Sequence, residues 1–282
     1  MQITSYKSFR GDSIDSIKMN LITSFFGLII ASLRLLLLVL MIVLFVSIGF
    51  VLFKMGLVEK EFGYKLRKVF CQFAVLLLGI KIIKSGQISQ YQGALYVSNH
   101  RSLIDAVILF SILDHGYVIS KSEVKNYPFI GTGAELSGVV FVERNNLNSR
   151  NLTKMKIKEL LINKETVIIF PEGTVSIDQK PLPFRKGSLD AAFEANAPVY
   201  YSALEYMNPF TDFWFHPHLL KQFLISFSKL QTRVRIHFFD PLIIVNSLEA
   251  IQKIESDISL KLNEFQKSWD SKEREELFGG KV

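Results

Sequence analysis

Cysteine is almost absent: Cys71 is the one thiol in 282 residues, so the chain builds neither an intramolecular disulfide nor a cysteine metal cluster. It sits within the apolar segment 69–80, as a small core residue would. A Gly-x-Ser-x-Gly elbow is also missing, which removes the usual nucleophile signature of a Ser-His-Asp hydrolase. Internal repeats and low-complexity linkers are lacking too. Between Ser24 and Phe53 charge itself is scarce, with Arg34 the only ionisable residue. No small-x-small cleavage site follows this run, and it begins late and is longer than a signal h-region, so a retained anchor is expected.

What is present is ample apolar material, 49% of residues, and an excess of 33 Lys and Arg over 26 Asp and Glu. A net charge of +7 suits anionic partners such as nucleic acid, a phospholipid surface or a phosphorylated substrate. From Leu35 to Phe53 every residue is uncharged, and a helix of that length spans roughly 28 Å, close to the ~30 Å hydrocarbon core of a bilayer. Two geometries fit: a single span, or a helical hairpin bent near Ser47, Ile48 and Gly49 that enters and leaves one leaflet. Lys7, Arg10 and Lys18 precede the run, whereas Lys54, Lys60, Lys65, Arg67, Lys68, Lys81 and Lys84 follow it. For a single span, this bias puts the downstream domain on the cytoplasmic side. The expected division is an anchor over 1–60 and a second domain over 61–282.

Residues 61–83 carry apolar side chains at helical spacing, with Lys65, Arg67 and Lys68 opposite, which predicts an amphipathic helix against membrane or core. Short β-like runs follow at 80–83, 94–97, 117–120, 139–142, 167–170, 199–203 and 234–239. Helical spacing lies between them at 103–113, 152–163 and 188–196, and a long amphipathic helix at 248–269 closes the chain. The alternation predicts an α/β fold: a mixed, largely parallel sheet flanked by helices, with an N-terminal anchoring helix or hairpin.

Ser98-Asn99-His100-Arg101-Ser102-Leu103-Ile104-Asp105 joins one of these strands to a helix. Five positions put His100 and Asp105 about 140° apart on a helix, so the backbone must turn between them for the side chains to meet. Ser102 followed by Asp105 is a capping-box spacing, with Ser102 as N-cap. Two readings follow: Asp105 caps the helix beside a loop histidine, or His100 is a general base oriented by Asp105.

Further along, Phe170-Pro171-Glu172-Gly173-Thr174 makes a tight turn after a buried strand, placing Glu172 at the carboxyl end of the sheet, where α/β ligands bind. The run 138–144 ends in Arg144, a side chain suited to bidentate phosphate contact. Lys121 and Arg185-Lys186 either add cations to one anion site or are solvated surface charges. His216 and His218 flank a proline with Asp212 nearby, a poor metal set.

Taken in order, Asn-His-x-Ser-x-x-Asp, Phe-Val-x-Arg, Phe-Pro-Glu-Gly-Thr and Ala197-Pro198-Val199 resemble the motif blocks of the glycerolipid acyltransferase family, with the closest likeness to bacterial 1-acylglycerol-3-phosphate acyltransferases. The stretches 121–131 and 184–187 resemble the segments between those blocks. The resemblance implies acyl transfer from acyl-CoA or acyl carrier protein to a lysolipid hydroxyl. His100 would act as base and Asp105 as its orienter. Arg144, with Lys121, would hold the acceptor phosphate, while Glu172, Gly173 and Thr174 would shape the acceptor site. It implies no metal or redox cofactor, no nucleic-acid partner, and membrane lipids with the donor thioester as partners. One position departs from the pattern. Where relatives acting on lysophosphatidic acid often continue with arginine, this chain has Val175 and then Ser176, which opens a lyso-aminolipid or another lysophospholipid as acceptor. A lipid-binding membrane protein and a membrane hydrolase are the competing expectations.

Overall fold

The computed structural model describes residues 21–56, 60–87, 92–121, 138–142, 147–214 and 216–269. Its elements in chain order are α1 (Leu21–Lys54), α2 (Lys60–Leu77), β1 (Ile80–Gly86), β2 (Leu95–Ser98), α3 (Asp105–Ile112), β3 (Tyr117–Lys121) and β4 (Val139–Val142). There follow α4 (Leu147–Ile162), β5 (Val167–Ile169), α5 (Gly187–Glu194), β6 (Val199–Tyr206), α6 (Pro209–Asp212), α7 (Leu219–Phe227), β7 (Thr232–Phe238) and α8 (Ser247–Ser268).

The strands form one seven-stranded sheet in the order β1-β7-β6-β2-β5-β3-β4. Every neighbouring pair is parallel except β6 with β7. This is the mixed, largely parallel α/β sheet expected from the alternation of strands and helices. Strand periodicity divides the core between its faces. Leu95, Val97, Val199, Tyr201 and Ala203 enter one apolar cluster with α4, α5 and α8, whereas Tyr96, Tyr200, Leu204 and Tyr206 enter the other with α3 and α7. Helix α8 brings Ile254, Ile258 and Leu262, all with no exposed surface, onto the first cluster at i,i+4 spacing. Truncating one such residue to alanine costs about 2–5 kcal/mol.

Three sequence expectations need correction. The helix foreseen to Ile83 stops at Leu77, because Gly79 takes φ +69° and Ile80 opens an edge strand paired with β7. Helix α7 has no counterpart in the expected pattern. The hairpin bend near Gly49 is absent: α1 runs unbroken, and Gly49 instead lets α1 approach α2, where an added Cβ would lie 3.1 Å from Leu66 Cδ2.

Helix α1 is fastened to the sheet domain along one stripe. Gly27 and Ala31 are buried, Leu35 and Leu38 pack on the core, and the Phe45 ring meets those of Phe70 (5.6 Å) and Phe73 (6.4 Å). Arg34 donates to the carbonyls of Phe227 (2.9 Å), Lys229 (2.6 Å) and Leu230 (2.9 Å), just past the end of α7. The opposite stripe, including Phe25, Phe26, Leu33, Leu36, Leu40 and Leu44, is exposed. Because β7 runs against β6, the chain entering β7 lies at the carboxyl end of β6 and β2. Arg34 therefore clamps α1 at the edge of the sheet where the His-Asp turn also lies.

Candidate active site

Strand β2 ends at Ser98, and Asn99 substitutes its side-chain amide for one more backbone rung. Its Oδ1 accepts from the Leu204 N–H (2.8 Å) and its Nδ2 donates to the Leu204 carbonyl (2.8 Å). The edge stays paired while the backbone is free to turn.

Asp105 organises that turn from the first position of α3. Oδ2 accepts from His100 Nδ1 (2.8 Å), the Arg101 N–H (2.6 Å) and the Ser102 N–H (2.8 Å). Oδ1 accepts from the Tyr206 hydroxyl (2.6 Å). The carboxylate has no solvent exposure, and its donors replace the water it has lost. The capping box forms only by half. Asp105 reaches back to the Ser102 N–H as foreseen, but the helix starts at Asp105, and Ser102 Oγ accepts from the Ile104 N–H (3.3 Å) within the preceding turn.

With Nδ1 donating to Asp105, the neutral imidazole of His100 keeps Nε2 as its acceptor. The ring stacks on Phe170 at 4.2 Å and 18°, and its side chain remains 15% exposed. Phe170 follows β5, the parallel neighbour of β2, so both turns emerge from the same sheet edge. Glu172 then ties them together: Oε1 accepts from the His100 N–H (2.6 Å) and Oε2 from the Leu182 N–H (2.7 Å). Burial pushes the Glu172 carboxyl up to about 7, against the opposing pull of Arg101, the two N–H donors and His100.

Arg101 lies wholly buried beneath the turn. Its guanidinium donates to Glu205 Oε2 (3.3 Å), Ser176 Oγ (3.2 Å) and the carbonyls of Ser176, Asp178 and Gln179. Glu205 also accepts from Gln266 Nε2 (2.7 Å), which ties α8 to the same loop. Burial pushes the Cys71 thiol up to about 12, consistent with an inert core residue.

This arrangement amounts to an imidazole with a free acceptor nitrogen, held by a fully bonded carboxylate at the carboxyl edge of an α/β sheet. Residues 79–204 match the Acyltransferase family model. Less than half of the chain is thus similar to that family, and the matched segment contains β1 to β5, α5 and most of β6, with both turns of the site.

A lyso-ornithine lipid O-acyltransferase from Rhizobium meliloti (strain 1021) is 34% identical over 122 residues, 43% of this chain and 41% of that protein. A 1-acyl-sn-glycerol-3-phosphate acyltransferase from Limnanthes alba is 32% identical over 127 residues, 44% of this chain and 45% of that protein. The chain thus spans less than half the length of these two relatives. Among solved structures, the 1-acyl-sn-glycerophosphate acyltransferase PlsC from Thermotoga maritima superposes with a TM-score of 0.62 at 23% identity. That match covers 86% of this chain and all of that one, and shows a shared fold.

Of the residues singled out in the sequence, the fold brings together His100, Asp105, Glu172 and Gly173. Thr174 is exposed on the same turn. Lys121 ends β3, paired through its backbone with Val142. Arg144 and the stretch 122–131 lie outside the described residues. Among the described residues, no group of three or more His, Cys, Asp or Glu is placed to hold a metal ion, and His216 Nδ1 accepts from the His218 N–H (3.0 Å). Sequence reasoning missed Tyr206 and Arg101. Tyr206 belongs to a strand 101 positions downstream of Asp105, so no local spacing signals the pair.

Proposed function

We propose that this protein is a membrane-attached O-acyltransferase that moves a fatty acyl group from acyl-CoA or acyl carrier protein to a lysolipid hydroxyl, with 1-acyl-sn-glycerol-3-phosphate as first acceptor and phosphatidic acid as product. The observation that carries this reading is the His100–Asp105 bond, which engages Nδ1 and leaves Nε2 as the acceptor of the neutral imidazole. In the reaction, Nε2 takes the proton of the acceptor hydroxyl as its oxygen attacks the thioester carbonyl. The tetrahedral adduct collapses, the C–S bond breaks, and the imidazolium returns the proton to the departing thiolate. Asp105 fixes the tautomer and balances the imidazolium. The chemistry calls on no metal or redox cofactor. Lys121 and Arg144 are the assigned phosphate partners, and Glu172, Gly173 and Thr174 form the acceptor side of the site.

A second acceptor has specific support. Val175 stands where an arginine is common in relatives acting on lysophosphatidic acid, and the Rhizobium meliloti relative bears the name of a lyso-ornithine lipid enzyme. A lyso-aminolipid is therefore the alternative substrate.

Attachment is assigned to α1, lying along the domain with its outer stripe in one leaflet. An upright span would carry Lys65, the Lys68–Asp114 pair and the Lys229–Asp212 pair into hydrocarbon, because α2 and α7 both pack against α1. The basic residues after the run favour the anionic cytoplasmic leaflet. Purified protein incubated with a labelled acyl thioester and a panel of lysolipids tests the assignment. Transfer to lysophosphatidic acid that disappears in His100→Ala supports it. Full transfer by that variant, or release of free fatty acid without acceptor, overturns it.

A further inference from the structure

Gly173 has φ +73°, and the place where a side chain would stand is filled by the Arg185 guanidinium. A Cβ built there would lie 2.7 Å from Arg185 Cζ, 2.9 Å from Nη1 and 3.0 Å from Nη2. The backbone fixes this approach, because the Arg185 N–H donates to the Pro171 carbonyl (3.0 Å), directly beside Glu172. Arg185 is exposed, and among the described residues its guanidinium meets no carboxylate. The neighbouring Arg101 is unavailable to a ligand, since Glu205 and three backbone carbonyls hold it. A planar guanidinium with unfilled donors, laid against the turn that contacts the His100 backbone, suits bidentate binding of an oxyanion.

We infer that Arg185 forms an anion subsite for the acceptor headgroup, supplying from the far side of Gly173 the guanidinium that Val175 does not provide. The ligand chemistry is an oxyanion, either the phosphate of a lysophosphatidic acid or the carboxylate of a lyso-aminolipid. This rests on the transferase reading, which names the acceptor as a lysolipid.

The test uses the full chain in detergent micelles, with three probes of equal acyl length: lysophosphatidic acid, a lysolipid with an ornithine headgroup, and uncharged monoacylglycerol. Binding is measured directly, without donor, for wild type, Arg185→Gln and Arg185→Lys. The expected result is a Kd for one oxyanion-bearing probe at least about tenfold weaker in Arg185→Gln and partly restored in Arg185→Lys, with monoacylglycerol binding unmoved. The probe that responds identifies phosphate or carboxylate as the ligand. Equal losses for all three probes, or no change for either oxyanion-bearing one, overturn the subsite. Because no turnover is required, failure of the transferase reading leaves this measurement decisive.

Discussion

The Tyr206 hydroxyl donates to Asp105 Oδ1 at 2.6 Å, on the carboxylate that takes His100 Nδ1 through its other oxygen. Burial and the Asp105 charge both push the Tyr206 phenol well above its ordinary range, so it stays a donor at every working pH. Through this bond Tyr206 fixes the carboxylate that in turn orients His100. Tyr206→Phe removes the donor and leaves the imidazole less firmly held. With His100 as base, kcat is expected to fall about three- to tenfold with KM little changed, within the range of general-base effects. A merely structural role for Tyr206 would lower stability without lowering kcat where the variant is folded. The check is kcat and KM, with a melting curve beside them.

Glu172 makes a separate prediction about stability. Its folded pKa of about 7 lies above the ordinary 4.5, so the folded state holds a proton that the unfolded chain releases. Its contribution is fully present below about pH 4.5 and is lost as pH rises toward 7. In Glu172→Gln this dependence disappears, and the amide orphans one of the N–H donors of His100 or Leu182 at about 1–3 kcal/mol. The variant should therefore be less stable than wild type at pH 5, with the gap narrowing toward pH 8. Melting temperatures across that range decide it, and a pH-independent gap refutes it.

How far the sequence foretold this arrangement depends on the range of each interaction. The alternating strands and helices were legible because β2, β5 and β6 are apolar on both faces, as buried parallel strands are. The end of α2 was not, since Leu78, Ile80 and Ile82 continue the apolar pattern into a strand and only Gly79 marks the break. His100, Asp105 and Glu172 stand in compact motifs and could be singled out locally. Tyr206 and Arg101 gain meaning only when the sheet brings strand ends together, and Arg185, singled out in the sequence as either an anion-site cation or a surface charge, is seated against Gly173 only in the fold. Gly49 shows the opposite failure: glycine suggested a bend where it serves close packing.

Arg34 carries the third prediction. Its three carbonyl acceptors lie where the C-terminus of α7 leaves backbone oxygens without helical partners. Arg34→Leu should lower stability by about 1.5–3 kcal/mol, as the loss of hydrogen bonds to a charged group does. The exposed apolar stripe of α1 is untouched, so sedimentation with phospholipid vesicles should persist. A variant that melts with wild type would show that the clamp contributes nothing to docking α1.

Gly173 offers the sharpest separation of fold from site. Alanine in the left-handed region costs about 1–2 kcal/mol, and its methyl would displace the Arg185 guanidinium, the mobile end of a long side chain. Gly173→Ala should therefore fold with a melting point only a few degrees lower while weakening the anionic acceptor as Arg185→Gln does. Since both changes remove one guanidinium from one place, their effects should not add, and Gly173→Ala/Arg185→Gln should bind about as weakly as either alone. Fully additive losses would mean that Gly173 acts through the turn at Glu172 and that its contact with Arg185 is incidental.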